Sequence, residues 1–171
     1  MAKDNPEFIV SRLFDAPRTL LWQSWTMPDL MAKWWGPKGM TVGKYKMDLR
    51  PGGSYHYSML MPDGKAMWGK FEYREIAAPQ KLFFVNYFSD EQGGVTRHPF
   101  SPTWPLKTMT QITFEEEKGQ TLVTIRWTPI EPTEEERKTF LLGMDGMKQG
   151  WGGTFDQLAE FLQGYQRKVA S

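Results

Sequence analysis

The stretch GMDGMKQGWGGTFDQLAEFLQGY, from Gly143 to Tyr165, decides the fold. Its apolar residues recur at steps of three and four, the spacing that places side chains on one stripe of an α-helix. They are Met144, Met147, Trp151, Phe155, Leu158, Leu162 and Tyr165. Because such a stripe needs another apolar surface to pack on, we expect a long terminal helix laid across a sheet. Incomplete packing between the two would leave a pocket.

The chain before this helix predicts strands joined by tight turns. In Ser54 to Met61 the tyrosines and methionines alternate with polar residues, and Pro62-Asp63-Gly64 is a strong hairpin signal. The predicted strands are Phe8 to Phe14, Thr41 to Leu49, Ser54 to Met61, Ala66 to Ile76, Lys81 to Phe88, Leu106 to Glu117 and Thr121 to Thr128. Between the fifth and sixth strands, Ser89 to Pro105 loses the pattern and predicts a long loop insertion, either a lid or a mobile segment.

Short helices complete the pattern. Two follow the first strand, at about Pro17 to Trp25 and Pro28 to Trp34, each with proline in its first turn. Thr133 and Glu136 form a capping box that starts a third short helix, and Asp145 is expected to cap the long one. Strands without βαβ alternation, followed by a helix, predict an α+β fold. We expect a curved antiparallel sheet of six to seven strands wrapped around the C-terminal helix, in one domain of residues 1–171.

Composition excludes several classes of function. The 171 residues include 21 basic and 20 acidic ones, so the net charge of +1 gives no field that favours nucleic acid or an anionic membrane. The absence of cysteine excludes disulfides and thiolate chemistry. No signal peptide or membrane-spanning stretch is present in the sequence, which predicts a cytoplasmic protein. Aromatic and methionine side chains are abundant and fill irregular cores or line apolar sites.

Six stretches, in order, resemble bacterial members of the activator-of-heat-shock-protein-90-ATPase homology family, within the START and birch-pollen-allergen-like superfamily. They are FDAPRTLLWQSWT, KWWGPKG, DLRPGGSYHY, MWGKFEYREIAAPQKLFF, ITFEEEKGQTLVTIRW and GMKQGWGGTFDQLAEFL, between about Phe8 and Leu162. The resemblance implies a helix-grip fold with an apolar cavity. Relatives across the superfamily bind lipids, sterols, flavonoids or polyketides, cyclise polyketides, or act as co-chaperones. The co-chaperone proper has a separate N-terminal domain for which this chain has no room. Among these roles, chaperone activation is therefore the one we expect least.

Candidate catalytic groups are few, and no catalytic residue, metal site or cofactor is predicted. The two histidines, His56 and His98, are expected to be a surface or packing residue and a solvated loop residue. Gly150-Trp151-Gly152-Gly153 superficially resembles a phosphate loop, but it lies inside an amphipathic helix. Arg50 and Arg126 are expected in ion pairs or at the surface rather than as anchors for a ligand anion.

The aromatic residues on one face of the sheet favour a cavity. Buried phenol and indole groups need hydrogen-bond partners, which a cavity with a polar-edged ligand provides. The predicted lining residues are Tyr55, Tyr57, Met59, Phe71, Tyr73, Phe114, Trp127, Met147, Trp151, Phe155 and Leu158. The glycines beside Trp151 cost helix stability, roughly 1 kcal/mol each against alanine. We therefore expect them to leave deliberate space near this indole.

These observations support three hypotheses. The first is a non-enzymatic protein that binds a small hydrophobic, aromatic or lipid-like molecule. The second is a cyclase or hydrolase that uses the same cavity and requires an inward-facing titratable group. The third is an interaction module, a chaperone partner or a homodimer, that uses exposed Trp34 and Trp35. A contiguous exposed apolar patch around these two indoles would favour the third.

Overall fold

The structure is a computed structural model that describes residues 5–36 and 39–170. Its strands are β1 Phe8–Phe14, β2 Thr41–Met47, β3 Ser54–Leu60, β4 Ala66–Ala77, β5 Lys81–Ser89, β6 Thr108–Glu117 and β7 Gln120–Pro129. Its helices are α1 Arg18–Thr26, α2 Pro28–Met31, α3 Glu134–Leu142 and α4 Met144–Ala170. This element order confirms the predicted α+β fold with two short helices after the first strand.

The strands form one seven-stranded sheet in the order β1-β7-β6-β5-β4-β3-β2. Every neighbouring pair is antiparallel. The sheet curves around α4, which confirms the helix-grip fold. The strands β5 and β6 are joined by residues 90–107, which we call the β5–β6 connection. This connection lies beside the N-terminal half of α4 and therefore contributes to the site described below.

The predicted hairpin between β3 and β4 is present. Tyr55 pairs with Phe71, and Tyr57 pairs with Gly69. Because side chains alternate across a strand, this register places these residues on the face of the sheet that covers the core. Gly69 has a packing role here, since a Cβ atom added to it would lie 2.6 Å from the Tyr57 hydroxyl.

The helix α3 begins with the predicted capping box. The Thr133 hydroxyl accepts a hydrogen bond from the Glu136 backbone N–H at 3.1 Å, and the Glu136 carboxylate accepts one from the Thr133 N–H at 3.0 Å. The prediction that Asp145 caps α4 is wrong. The carbonyl of Gly143 already accepts from the Met147 N–H at 2.9 Å, so the helix begins at Met144 and Asp145 lies in its first turn.

The C-terminal half of α4 packs into the core. Phe155, Leu158 and Leu162 are all buried, and the ring centroids of Phe155 and Phe14 lie 5.5 Å apart in an edge-on contact. The short helix α1 adds Leu21 and other apolar side chains to the same core. In the described part of the chain, no helix has both the length and the apolar character needed to span a membrane.

The third hypothesis required Trp34 and Trp35 to be exposed, and neither indole is. Trp34 is only 2% exposed, its indole N–H donates to the Ser24 carbonyl at 3.0 Å, and its ring lies 4.7 Å from that of Trp25. Trp35 is half-buried against Phe71, with ring centroids 5.5 Å apart. The chain that follows α2 folds back over the core, which the tandem indoles help to fill.

Candidate ligand-binding cavity

A cavity of about 620 Å³ lies between the curved sheet, the N-terminal half of α4 and the β5–β6 connection. Its wall is mostly aromatic and methionine side chains, with a few polar groups. Within the described residues, the lining contains no Asp, Glu, Lys or Arg. A cavity of this size and polarity is typical of sites for small apolar molecules, which commonly occupy about 300 to 1,000 Å³.

The sheet wall is built around Tyr57, which projects from β3. Gly69 on the paired strand leaves room for its ring, and the Trp35 ring meets it edge-on at 6.2 Å. Burial raises the pKa of the Tyr57 phenol to about 12, although the nearby Trp35 indole opposes part of that rise. The phenol is therefore neutral at physiological pH and serves as a hydrogen-bonding group rather than a base.

The helix wall combines one large indole with several glycines. Trp151 is 7% exposed and lies within 6.3 Å of the rings of Trp25, Trp35 and Trp127. Gly150, directly before it, and Gly146, five residues before it, also line the cavity. A Cβ atom added at either glycine would have no heavy atom within 4 Å. This part of α4 therefore leaves open space beside the indole.

A chain of hydrogen bonds crosses three strands in the cavity wall. The Trp127 indole N–H donates to the Thr110 hydroxyl at 2.6 Å. The Thr110 and Thr108 hydroxyls donate to the side-chain oxygen of Asn86 at 2.5 and 2.9 Å. We call these four residues the Asn86 cluster. It places a fixed polar group in the largely apolar wall of the cavity.

The β5–β6 connection forms part of the cavity wall and is fastened to α3. Arg97 donates to Glu136 in an ion pair, and the Thr103 and Thr139 hydroxyls share a hydrogen bond of 2.8 Å. The rings of Trp104 and Phe140 lie 5.5 Å apart. These contacts make the connection a packed wall of the cavity. Whether it also opens as a lid stays a prediction.

His98 lies in this connection and lines the cavity. Its ring lies 4.5 Å from Phe88, and its Nδ1 atom accepts a hydrogen bond from the Phe100 backbone N–H at 3.0 Å. Burial lowers the pKa of the imidazole from its ordinary value of 6.5. The ring is therefore neutral at pH 7, with its proton on Nε2. The prediction of a solvated His98 is wrong, because its ring is half-buried against Phe88.

A family model described as "Activator of Hsp90 ATPase homolog 1-like protein" matches residues 15–163. The chain belongs to this family. Membership of the Hsp90 ATPase activator homologue family fits a ligand-binding or a chaperone-related module, and it specifies no ligand. A search of curated proteins gave no match.

Solved structures share the fold of this family member. A crystal structure of a Mycobacterium smegmatis protein is 28% identical with a TM-score of 0.73, covering 91% of this chain and 90% of that one. A solution structure of an Arthrobacter aurescens protein is 28% identical with a TM-score of 0.75, covering 95% and 90%. A Staphylococcus epidermidis protein at 24% identity, with a TM-score of 0.75 and coverage of 96% and 93%, shows the fold alone.

The cavity of this Hsp90 ATPase activator homologue family member contains part of the predicted residue set. Six of the eleven predicted residues line it: Tyr57, Met59, Phe71, Trp127, Met147 and Trp151. The other five, Tyr55, Tyr73, Phe114, Phe155 and Leu158, lie in the packed core outside this lining. They share the correct face of the sheet or helix, but neighbouring side chains fill the space around them. The face of a strand or helix on which a residue lies predicts whether its side chain points inward. It does not predict whether neighbouring side chains fill the space in front of it.

Sequence reasoning missed the polar part of the lining. Asn86, Thr108 and Thr110 were not predicted, although Asn86 is the single polar residue within the apolar run LFFVNYF. That isolated amide was the available signal, since a polar group in a buried strand needs partners. The connection also supplies His98 and Trp104, which only the fold brings to the site. Among the described residues, no group of three acidic, histidine or cysteine residues is arranged to hold a metal ion.

Proposed function

We propose that this protein binds a small, largely apolar molecule, aromatic or lipid-like, in the cavity beside Trp151, without transforming it. The observation that carries this proposal is a cavity of about 620 Å³ lined mainly by aromatic and methionine side chains, beside a glycine-rich segment of α4. Removing an apolar ligand from water into such a space is favourable at roughly 25 cal/mol per Å² of buried apolar surface.

The cavity chemistry supports binding better than catalysis. A cyclase or hydrolase needs a positioned acid or base with a partner that activates or orients it. In the lining, His98 is the group that titrates nearest to neutral pH, and its Nδ1 is engaged by a backbone N–H rather than by a carboxylate. Tyr57, with its raised pKa, is a poor base. A chaperone-interaction role loses the surface on which it was based, since Trp34 is buried.

The direct test is a screen with named probes. Flavone, palmitate and anthraquinone cover the aromatic and lipid-like classes. Trp35, Trp104, Trp127 and Trp151 line the cavity, so an occupant should change the intrinsic fluorescence and perturb the indole N–H signals in nuclear magnetic resonance spectra. A ligand at 100 times its Kd should also stabilise the fold by about 2.7 kcal/mol. If no probe affects these signals, the proposal fails.

A paired set of glycine variants locates the binding. Gly146→Leu combined with Gly150→Leu introduces side chains where an added Cβ meets nothing within 4 Å and narrows the cavity. We expect affinity for a confirmed probe to fall about tenfold or more. The control, Gly152→Leu combined with Gly164→Leu, lies in the same helix outside the lining and should bind as the wild type does. Equal affinity in both variants would place the ligand elsewhere.

A further inference from the structure

The Asn86 cluster has a fixed direction of hydrogen bonding. An indole N–H only donates, so the Thr110 hydroxyl accepts from Trp127 and has its own proton free for Asn86. The Thr108 hydroxyl donates to the same amide oxygen. The Asn86 side-chain oxygen is therefore held toward β6 by two donors. Its NH₂ group must lie on the opposite side of the amide.

That NH₂ group has no hydrogen-bond partner in the part of the chain that the structure describes. Neither of its two N–H bonds is directed to an acceptor among the described residues, whereas the amide oxygen is doubly bonded. Asn86 itself lines the cavity. Its side-chain nitrogen is not one of the fully buried unpaired side-chain atoms of the described residues, so it is accessible from the cavity. An occupant that displaces water from this part of the wall must bring an acceptor oxygen to it, because a donor left unpaired after desolvation costs free energy.

The charges in the wall restrict the ligand further. The described lining holds no acidic or basic side chain, and the pKa of His98 is lowered by burial, so the imidazole is neutral at pH 7. A charged ligand would lose its hydration without meeting an opposite charge. Flat aromatic groups suit the indole faces of Trp127 and Trp151.

We propose that the cavity selects neutral, planar molecules that carry a carbonyl-type oxygen, which accepts a hydrogen bond from the Asn86 side-chain NH₂. Trp127 and Thr110 act as positioning residues that orient this amide. This inference rests on the proposed binding function. It adds the ligand class, which neither the shape of the cavity nor membership of the family specifies.

The test uses two probes that differ at one carbon, 9-fluorenone with a carbonyl and fluorene with a methylene. Their dissociation constants are measured by tryptophan fluorescence for the wild type and for Asn86→Leu. We expect the ratio of the fluorene Kd to the fluorenone Kd to fall about tenfold in the variant, the effect of one lost buried hydrogen bond. The variant should retain fluorene binding. Fluorene-9-carboxylate should bind the wild type more weakly than fluorenone does.

A second pair of variants keeps the test valid if Asn86→Leu does not fold. Thr110→Val removes the hydroxyl that orients Asn86 and should reduce the same ratio, whereas Thr113→Val, on the same strand outside the lining, should not. In the wild type, fluorenone but not fluorene should shift the Asn86 side-chain NH₂ signals. Equal response to both probes, or tighter binding of the carboxylate, overturns this inference and leaves the binding function intact. Failure of all three probes to bind refutes this inference, whereas the binding function is refuted only if flavone, palmitate and anthraquinone also fail to bind.

Discussion

The two halves of α4 carry one apolar stripe and meet the sheet in different ways. In the C-terminal half, Phe155, Leu158 and Leu162 are at most 2% exposed and pack against the core. In the N-terminal half, Gly146 and Gly150 lie beside a cavity of about 620 Å³. The backbone is helical throughout, so the difference comes from side-chain volume.

This difference shows how one element can both hold a fold together and form a site. The large side chains of the C-terminal half fix the helix on the sheet, which allows the N-terminal half to stand away from full packing. Glycine in a helix costs up to about 1 kcal/mol against alanine. The glycine-rich half is therefore a less stable helix than an alanine-containing segment of the same length would be. This cost fits a segment in which space is kept for a ligand.

The largest effect is expected from truncating the packed half. Leu158→Ala removes a fully buried side chain from the core and should lower the free energy of unfolding by about 2 to 5 kcal/mol. Met147→Ala, in the cavity wall, should cost less, because part of the Met147 surface already faces open space. Urea unfolding of both variants measures the difference. Equal losses would show that the two halves pack alike.

The contrast also explains how far the sequence could predict this molecule. Period-two alternation in β3 and the steps of three and four in α4 predicted the sheet face, the helix stripe and the fold, because these patterns depend on local geometry. They predicted inward direction equally well for Trp151 and for Leu158. Whether the space in front of an inward side chain is filled depends on distant residues, so the cavity boundary required the structure.

The misplaced tryptophans and His98 have the same cause, because their burial also depends on distant residues. The third hypothesis required Trp34 and Trp35 to be exposed, yet Trp34 packs on Trp25 from a separate helix. His98 was predicted to be solvated because of its proline-rich neighbours, yet the connection is fastened to α3. Both placements depend on contacts between segments far apart in the chain, which local composition does not determine.

A smaller effect is expected from detaching the wall that faces the open half. Arg97→Ala leaves the buried carboxylate of Glu136 without its ion-pair partner and should cost about 1 to 1.5 kcal/mol, after allowance for the half-exposed arginine. Arg74→Ala, which removes an exposed pair with Glu72, should cost at most about 0.5 kcal/mol. Urea unfolding at pH 7 measures both.

The pH dependence of the Arg97 effect provides its control. Burial alone would raise the pKa of Glu136, but the hydrogen bond from the Thr133 backbone and the contact with Arg97 lower it below the ordinary 4.5. The stabilisation is therefore complete above pH 4.5 and is lost as the pH falls through the lowered pKa. If the difference between Arg97→Ala and wild type persists below pH 3, the arginine acts through packing.

A glycine-to-alanine substitution in the N-terminal half of α4 tests how much helix stability the glycines cost. Gly150→Ala should raise the free energy of unfolding by about 0.5 to 1 kcal/mol, because the new Cβ meets nothing within 4 Å. Gly164→Ala, in the same helix, should give a similar gain, since its Cβ is also unobstructed. Loss of stability at Gly150 alone would indicate that the cavity wall is tighter than described.

The smallest effect concerns His98 at the edge of the open half. Burial lowers the pKa of its imidazole below 6.5, so the folded protein binds fewer protons there than the unfolded chain does. Stability from this group is complete above pH 6.5 and declines as the pH falls toward the lowered pKa. His98→Gln should remove this slope from urea unfolding measured between about pH 7.5 and 5.5, and His56→Gln should retain it. A wild-type slope in His98→Gln would place the titrating group elsewhere.

An occupant that buries the His98 ring further should lower the pKa of its imidazole again, so affinity for a neutral probe should weaken over the same acid range.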